Sequence, residues 1–332
     1  MPEAHIIGLG HYVPENIVTN DDLSELMDTS DQWIVDRTGI KERRFAALNQ
    51  GPSDLAIPAV ELAIDNAKIN KEDIDFIIFA TSTPDHYVPG SSCILQDKMN
   101  LNGIGALDIR VQCSGFVYGL SIAEQYIKSG QFNNILVIGA EVQSTAMDLT
   151  DRGRDTAVIF ADGAGAAIIS SQKLGGQILS THLYSEGKYA KELWVESPSS
   201  SSRPTIDLAK INEGRHFLQM NGKEVFKHAV KRFPEVIIEG LEHNELSIAD
   251  LDILIPHQAN LRISKFIQKK LNLLDNQIFS NIHKYGNTTA ASIPIAFSEA
   301  LIQGKIYPGN IVALASFGSG FTWGSCIIKW VK

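Results

Sequence analysis

Residues 71–78 read KEDIDFII and residues 248–255 read IADLDILI, and this pair of similar segments decides the fold. In both copies an acidic residue, an aliphatic residue and a second acidic residue lead into an apolar run, so that Asp73 aligns with Asp250. A helical pattern precedes each copy. The repeat predicts a duplicated α/β unit. Chance similarity between two ordinary α/β units is the alternative.

Outward from these copies, short apolar runs alternate with amphipathic stretches. Buried strands are predicted at 74–80, 135–139, 164–169, 251–255 and 311–315. Helices are predicted at 54–67, 115–129, 224–243, 261–271 and 292–303. Strands and helices that alternate at this spacing favour an α/β fold with mixed sheets.

A second correspondence links the two halves downstream. Two predicted helices end at Gly130 and Gly304, and an apolar run follows each. When these two glycines are aligned, Cys113 falls opposite Asn287. We therefore expect the two halves to share one active site at their interface.

Composition excludes several classes of protein. The 332 residues include 29 Lys and Arg against 38 Asp and Glu, a net charge of -9, which argues against general nucleic-acid binding. The three cysteines form no CxxC pair, which argues against a zinc site and favours a reducing compartment. We see no signal peptide and no apolar run long enough to span a membrane, so a cytoplasmic protein is expected.

Cys113 is the candidate nucleophile. It lies in DIRVQCSGFVYG, between a predicted strand and a helix, where the helix dipole is expected to lower the pKa of the thiol. A buried structural cysteine is the alternative. Cys93 and Cys326 lack this context, and we expect both in the core.

Two further positions carry side chains suited to chemistry. His257, in LDILIPHQANLRI, follows the end of a predicted strand, where α/β proteins build their sites, although it could also be a core or capping histidine. Asn287, in HKYGNTTAASIP, could serve as a cap or turn residue. The glycines of SFGSG at 316–320 allow backbone N–H groups to face a developing oxyanion, or form a plain loop.

A basic stripe is predicted on the helix that follows His257. Arg262, Lys265 and Lys269 recur at helical spacing, with Lys270 alongside. On an acidic chain this stripe suits a phosphate or an acidic protein partner. A solvated helix face is the alternative.

Together these segments resemble the thiolase-fold condensing enzymes, and most closely the β-ketoacyl-acyl carrier protein synthase III family. The shared motifs run through the chain in order: DTSDQWIVDRTGIKERR (28–44), CSGF (113–116), TDRG (150–153), DGAGAA (162–167), NGKEVFK (221–227), PHQANLRI (256–263), GNTTAAS (286–292) and FGSGFTWG (317–324). The resemblance implies a five-layered αβαβα thiolase fold with two pseudo-duplicated halves. We place the halves at 1–180 and 216–332, joined by a serine-rich excursion at 181–215.

The resemblance also implies the chemistry. Cys113, His257 and Asn287 match the family's catalytic triad, and the backbone N–H groups of Cys113 and Ser319 match its oxyanion hole. The implied reaction is a decarboxylative Claisen condensation of an acyl-CoA with malonyl-acyl carrier protein through an acyl-Cys113 intermediate, which initiates fatty acid biosynthesis. The resemblance thus implies an acyltransferase that needs no metal or redox cofactor.

Binding residues follow from the same motifs. The coenzyme A contacts match Thr29, Trp33, Arg37, Arg152, Gly222, Phe226, Ala259 and Asn260, with Trp33 and Arg152 expected to sandwich the adenine. The carrier-protein contacts match Gln258, Ala259, Asn260, Leu261, Arg262, Lys269 and Lys270. The family implies a homodimer in which loops of each partner close the other's acyl pocket.

Two departures from the family bear on the substrate. Val88 stands where many members have an aromatic residue that limits the acyl pocket, so longer acyl chains are expected to fit unless Tyr87 fills the space. Ser319 stands where glycine is common, and only its backbone N–H is needed.

Three other functions are alternatives to this condensing enzyme. They are a secondary-metabolite enzyme of the same fold with a longer or aromatic primer, a catalytically silent carrier-binding protein, and a cysteine hydrolase.

Overall fold

The structure is a computed structural model, and it describes residues 2–331. The strands are β1 (His5–Tyr12), β2 (Asn16–Thr19), β3 (Glu42–Phe45), β4 (Phe76–Ala80), β5 (Gly105–Ile109), β6 (Asn134–Glu141), β7 (Gly163–Ser170), β8 (Gly176–Ser185), β9 (Leu193–Trp194), β10 (Gln219–Met220), β11 (Ile253–Pro256), β12 (Ile311–Gly318) and β13 (Thr322–Trp330). Within that range no helix is both long and apolar enough to cross a membrane.

The helices lie between these strands. They are α1 (Asn20–Ser24), α2 (Asp31–Thr38), α3 (Pro52–Ala67), α4 (Ser91–Lys98), α5 (Gly115–Ser129), α6 (Arg154–Ala157), α7 (Leu208–Asn212), α8 (Gly222–His243), α9 (Leu261–Lys270), α10 (Ile282–Tyr285) and α11 (Ser292–Ile302). The strands predicted from apolar runs correspond to β4, β6, β7, β11 and β12, and the predicted helices to α3, α5, α8, α9 and α11, so those predictions are confirmed, with small shifts at the ends.

Nine strands form one mixed sheet in the order β11-β12-β13-β8-β1-β7-β6-β4-β5. Among residues 2–331, the two parts of this sheet are joined by the pairing of the start of β1 with the start of β8 over two residue pairs. The strands β4, β5 and β6 pair in parallel, as do β11 and β12. Parallel neighbours require crossover connections: α4 lies in the one from β4 to β5, α5 in the one from β5 back to β6, and α9 to α11 in the one from β11 to β12.

The two parts of the sheet repeat each other in register. Phe76 of β4 pairs with Ile135 of β6, and at the equivalent positions of the second copy Ile253 of β11 pairs with Val312 of β12. In the second half, the place of β5 beside the central parallel strand is taken by a single parallel β-bridge between Leu254 and Ile278. The duplication predicted from the repeat is therefore confirmed.

Helices fill three layers around the two parts of the sheet. The helix α3 packs on β1, β6 and β7, and α8 packs on β8, β12 and β13. Between them, α5 contacts β4 and β6 on one side and β8 and β13 on the other, and α11 contacts both β1 and β11. The central layer is the largest part of the core, with Phe116, Leu120 and Phe297 fully buried. The expected five-layered αβαβα architecture is confirmed.

The segment between the halves contains little regular structure. The strand β8 crosses the expected limit at residue 180 and pairs with β13 along its length, so by strand pairing the second half begins at Gly176. The excursion at 181–215 contains β9 and the short helix α7. The strand β9 lies beside the active site, so this segment contributes to the site described next.

Candidate active site

Cys113 lies in a tight 3₁₀ turn, Gln112–Ser114, that leads directly into α5. Gln112 adopts φ 45°, a left-handed conformation that is costly for a residue with a side chain. Neighbouring groups approach this turn so closely that only glycine fits at two positions. A Cβ on Gly318 would lie 2.6 Å from the Cβ of Cys113, and one on Gly115 would lie 2.8 Å from the Cβ of Ala80. The sequence thus places the thiol at the start of a helix with little freedom to move.

His257 follows the carboxyl end of β11 and is 2% exposed. Its backbone N–H donates to the carbonyl of Ala315 at 2.8 Å, which extends the ladder between β11 and β12 by one residue. Its Nδ1 lies 2.6 Å from the Oγ of Ser292, the first residue of α11. Burial lowers the pKa of His257 to about 3, so the imidazole is neutral at pH 7.

Asn287 is held on both sides by backbone bonds. Its N–H donates to the carbonyl of Ile159, and its carbonyl accepts from the N–H of Ala161, both at 2.9 Å. Its side-chain Oδ1 accepts the N–H of Thr289 at 2.9 Å. Because the amide oxygen is occupied, the Nδ2 group is the end of the side chain that is available to donate.

One cavity brings these three side chains together. Cys113, His257 and Asn287, which come from separate parts of the sequence, all line a cavity of about 580 Å³. A second cavity of about 320 Å³ meets Cys113 as well, with a wall that includes Leu193, Trp194 and Leu218. The thiol therefore stands where two cavities meet.

The electrostatics of Cys113 differ from the expectation. Burial raises the pKa of the thiol to about 12, and the negative charge of Glu141 contributes to this increase. The backbone N–H groups of Cys113 and Ser319 act in the opposite direction because they face the sulfur. The prediction of a lowered pKa was wrong: the position at a helix start does not outweigh desolvation and a nearby carboxylate.

Ser319 contributes its backbone rather than its hydroxyl. The Oγ of Ser319 donates to the carbonyl of Leu193, away from the sulfur. The N–H groups of Ser319 and Cys113 are directed at the sulfur of Cys113.

The structure corrects the pairing of Cys113 with Asn287 in the repeat. In the register that aligns the two parts of the sheet, the turn Gln112–Ser114 corresponds to the turn Thr289–Ala291, and Thr289 shares the positive φ of Gln112. The counterpart of Cys113 is therefore Ala290. The mismatch arose because α11 is shorter than α5 at its carboxyl end.

Glu141 is a residue of the site that sequence reasoning missed. It ends β6 and is fully buried, and it accepts bonds from Ser82, Thr83 and Gln143. Burial raises the pKa of Glu141 to about 7. The signal was present in ILVIGAE, where an acidic residue directly follows an apolar strand.

The turn around Ala290 is already occupied by protein groups. Its N–H lies 3.5 Å from the Oε1 of Glu141. The counterpart of the Ser319 N–H is that of Val142, which donates to the Oγ1 of Thr83 at 2.9 Å. We call this arrangement the filled counterpart turn, because the donors equivalent to the N–H groups that face Cys113 bond to other protein groups.

Most of the expected coenzyme A residues line the larger cavity. They are Trp33, Arg37, Gly222, Phe226, Ala259 and Asn260. Thr29 and Arg152 do not line it: Arg152 binds Asp148 at 2.5 Å and lies over the ring of Phe217. The guanidinium groups near the Trp33 ring belong to Arg37 and Arg154, at 4.2 and 4.8 Å from its centroid.

The expected carrier-protein residues divide into exposed and buried groups. Arg262, Lys269 and Lys270 are exposed on α9. Gln258 is 1% exposed, and its side chain bonds to the carbonyl of Pro256 and to Ser280, so the structure contradicts a surface role for it. The helix α9 starts at the cavity mouth, because Asn260 caps it and Arg262 lines the cavity.

Four other predicted positions have clear outcomes. Cys93 is exposed, so its expected place in the core was wrong, because α4 turns that face outward. Cys326 is buried, as expected. Val88 is 77% exposed and, within this chain, does not line the cavity beside Cys113. Tyr87 is exposed as well and does not fill that cavity.

Comparison with known proteins agrees with this architecture. A family model described as 3-oxoacyl-[acyl-carrier-protein (ACP)] synthase III matches residues 107–187, and its C-terminal model matches residues 241–330. Beta-ketoacyl-[acyl-carrier-protein] synthase III of Clostridioides difficile is 47% identical over 328 residues, which covers 99% of this chain and 98% of the relative. Its namesake in Caldanaerobacter subterraneus subsp. tengcongensis is 45% identical over 329 residues, with the same coverage. The crystal structure of 3-oxoacyl-[acyl-carrier-protein] synthase III from Aquifex aeolicus VF5 matches with a TM-score of 0.90 and 41% identity, over 98% of this chain and 99% of that one. The chain belongs to the β-ketoacyl-acyl carrier protein synthase III family.

Proposed function

We propose that this enzyme condenses an acyl-CoA primer with malonyl-acyl carrier protein, releases carbon dioxide and so initiates fatty acid biosynthesis. The observation that carries the proposal is the meeting of Cys113, His257 and Asn287 at one cavity, with two backbone N–H groups directed at the sulfur. This arrangement provides a nucleophile, an oxyanion hole and two neutral hydrogen-bond donors.

The first step is acyl transfer to Cys113. The sulfur attacks the thioester carbonyl, and the N–H groups of Cys113 and Ser319 stabilise the oxyanion of the tetrahedral intermediate. When the intermediate collapses, the bond to the coenzyme A sulfur breaks, and the thiol proton of Cys113 ends on that sulfur. Because burial raises the pKa of the thiol to about 12, Cys113 is protonated before the attack, and the two N–H groups stabilise the negative charge that develops during it.

The second step is decarboxylation of the malonyl group. His257 and Asn287 donate hydrogen bonds to the malonyl thioester carbonyl, which stabilises the enolate left by departing carbon dioxide. The pKa of His257, about 3, keeps the imidazole neutral, so it acts as a hydrogen-bond donor rather than as an acid. The enolate carbon attacks the acyl-Cys113 carbonyl, the bond to sulfur breaks, and the released thiolate takes up one proton from solvent.

Carrier-protein docking is supported by the charges of α9. Arg262, Lys265, Lys269 and Lys270 are exposed on a chain whose net charge is -9. An acidic carrier protein would be attracted to this local basic surface and would bring its malonyl group to the cavity mouth beside Arg262.

The acyl group is best placed in the cavity of about 320 Å³ beside Cys113. This volume is many times the ~30 Å³ share of one water molecule, so it accommodates more than an acetyl group. We extend the proposal to acyl chains longer than acetyl. A homodimer, in which the exposed loop that carries Val88 closes the partner's cavity, would set the upper limit of chain length.

The test measures both half-reactions. Intact-protein mass after incubation with acetyl-CoA, isobutyryl-CoA or octanoyl-CoA reports the acyl adduct, and carbon dioxide release from malonyl-acyl carrier protein reports condensation. We expect an adduct that disappears in Cys113→Ala, and carbon dioxide release that requires the acyl primer. Free acid formed from the acyl-CoA without malonate would instead indicate a hydrolase.

A further inference from the structure

Ser292 connects the start of α11 to the histidine of the site. It is the first residue of α11 and is 2% exposed, so it does not face solvent. Its Oγ lies 2.6 Å from the Nδ1 of His257, which follows β11. This contact is the shortest hydrogen bond made by any of the three proposed catalytic side chains among residues 2–331.

The partners of Ser292 determine the direction of that bond. The Oγ accepts the backbone N–H of Gln258 at 3.3 Å. Within the described part of the chain, His257 Nδ1 is the only recorded partner of the Ser292 hydroxyl that can accept a proton. The hydroxyl has one proton to give, so it donates that proton to Nδ1.

This direction determines which ring nitrogen carries the proton. A neutral imidazole whose Nδ1 accepts a hydrogen bond carries its proton on Nε2. The Nε2–H group is then the donor that His257 presents to a carbonyl in the cavity. The opposite tautomer would present a lone pair there, which would repel a carbonyl oxygen.

We propose that Ser292 is a positioning residue that holds His257 in the Nε2–H tautomer required for malonyl decarboxylation. The inference rests on the proposed function. It concerns the second step only, because acyl transfer uses the N–H groups of Cys113 and Ser319. Loss of the Ser292 hydroxyl should therefore separate the two half-reactions.

The variants are Ser292→Ala, Ser292→Thr and, as a matched control, Ser298→Ala. Ser298 is also buried on α11, and its Oγ also bonds a histidine, His11, at 2.9 Å from Nδ1, but it does not line the cavity. The control removes the same type of bond from the same helix. Acyl transfer is followed by intact mass and decarboxylation by carbon dioxide release from malonyl-acyl carrier protein.

In Ser292→Ala we expect carbon dioxide release to fall at least about tenfold, since one hydrogen bond no longer favours the required tautomer. Acyl transfer should stay within about threefold of wild type. Ser292→Thr keeps a hydroxyl and should restore decarboxylation, and Ser298→Ala should leave both steps unchanged. An equal loss of both steps in Ser292→Ala, or an equal effect of Ser298→Ala, would overturn the inference.

A direct measurement covers the case in which Ser292→Ala does not fold. The nitrogen-15 chemical shifts of His257 in the wild-type enzyme, assigned with His257→Gln, report which nitrogen is protonated. We expect protonated Nε2 and unprotonated Nδ1, and protonated Nδ1 would refute the inference. If wild type releases no carbon dioxide from malonyl-acyl carrier protein, the proposed function fails instead, whatever the tautomer.

Discussion

Gly318→Ala tests how tightly the fold holds the nucleophile. A Cβ at this position would lie 2.6 Å from the Cβ of Cys113 and 3.0 Å from its Sγ. Favourable carbon–carbon contacts lie at about 3.5–4.0 Å, so one of the two groups must move by about 1 Å. The φ of Gly318 lies outside the left-handed range, so this overlap is the main cost of the substitution.

The overlap predicts a large effect on rate and a small one on stability. A displacement of about 1 Å at a reacting atom costs roughly 100-fold, so acyl transfer to Cys113 should slow by about that factor. Overpacking costs about 1–3 kcal/mol. At about 2 cal/mol/K per residue, the unfolding entropy of 332 residues predicts a Tm lower by about 1–4 °C.

The assay is the time course of the acyl adduct by intact mass, with Tm measured in parallel. Gly187→Ala is the matched control, since a Cβ there would meet nothing within 4 Å. It should acylate like wild type. If Gly318→Ala also acylates within threefold of wild type, then the position of Cys113 does not depend on contact with β12, and the reasoning is refuted.

Three further outcomes are expected. Because the pKa of Cys113 is raised to about 12, alkylation by iodoacetamide, followed on the peptide that contains Cys113 so that exposed Cys93 does not interfere, should rise about tenfold per pH unit between pH 7 and 9, and a flat profile would contradict the raised pKa. Glu141→Gln removes a negative charge that raises this pKa and should speed alkylation by up to about tenfold, whereas Glu124→Gln, buried elsewhere on α5, should not; equal rates in the two variants would argue against the effect of Glu141. Asn287→Ala should keep acyl transfer within a few fold and lower carbon dioxide release by about 100-fold, and an equal loss of both steps would argue against a donor role in decarboxylation. Lys269→Glu, on the exposed face of α9 and outside the cavity wall, should raise the KM for malonyl-acyl carrier protein but not for malonyl-CoA, and the difference should shrink at high salt. Lys173→Glu, an exposed charge reversal away from α9, should change neither constant.

The elements that local periodicity defines could be predicted from the sequence. The strands β4, β6 and β12 and the helices α5 and α8 lie where their apolar patterns indicate. The pairing of Cys113 with Asn287 failed because it used the glycines that end the helices. Those helices differ in length, and the starts of α5 and α11 are the equivalent points.

Properties set by other parts of the chain could not be predicted in the same way. The pKa of Cys113 depends on burial and on Glu141, which lies on a different strand, so the position of Cys113 at a helix start was insufficient. Likewise, Arg152 and Arg154 are close neighbours in the sequence, and only their contacts with Asp148 and Trp33 distinguish their roles. Exposure of Cys93 also depends on which face α4 turns outward.

The filled counterpart turn bears on how a duplicated protein becomes asymmetric. The protein contains two turns of the same shape, one around Cys113 and one around Ala290. In the second, the N–H groups of Ala290 and Val142 donate hydrogen bonds to Glu141 and Thr83. A cysteine introduced at Ala290 would therefore have no open donors to stabilise an attacked carbonyl. Of the two equivalent turns, only the one around Cys113 directs its N–H groups at a thiol, so we expect one acyl adduct per chain.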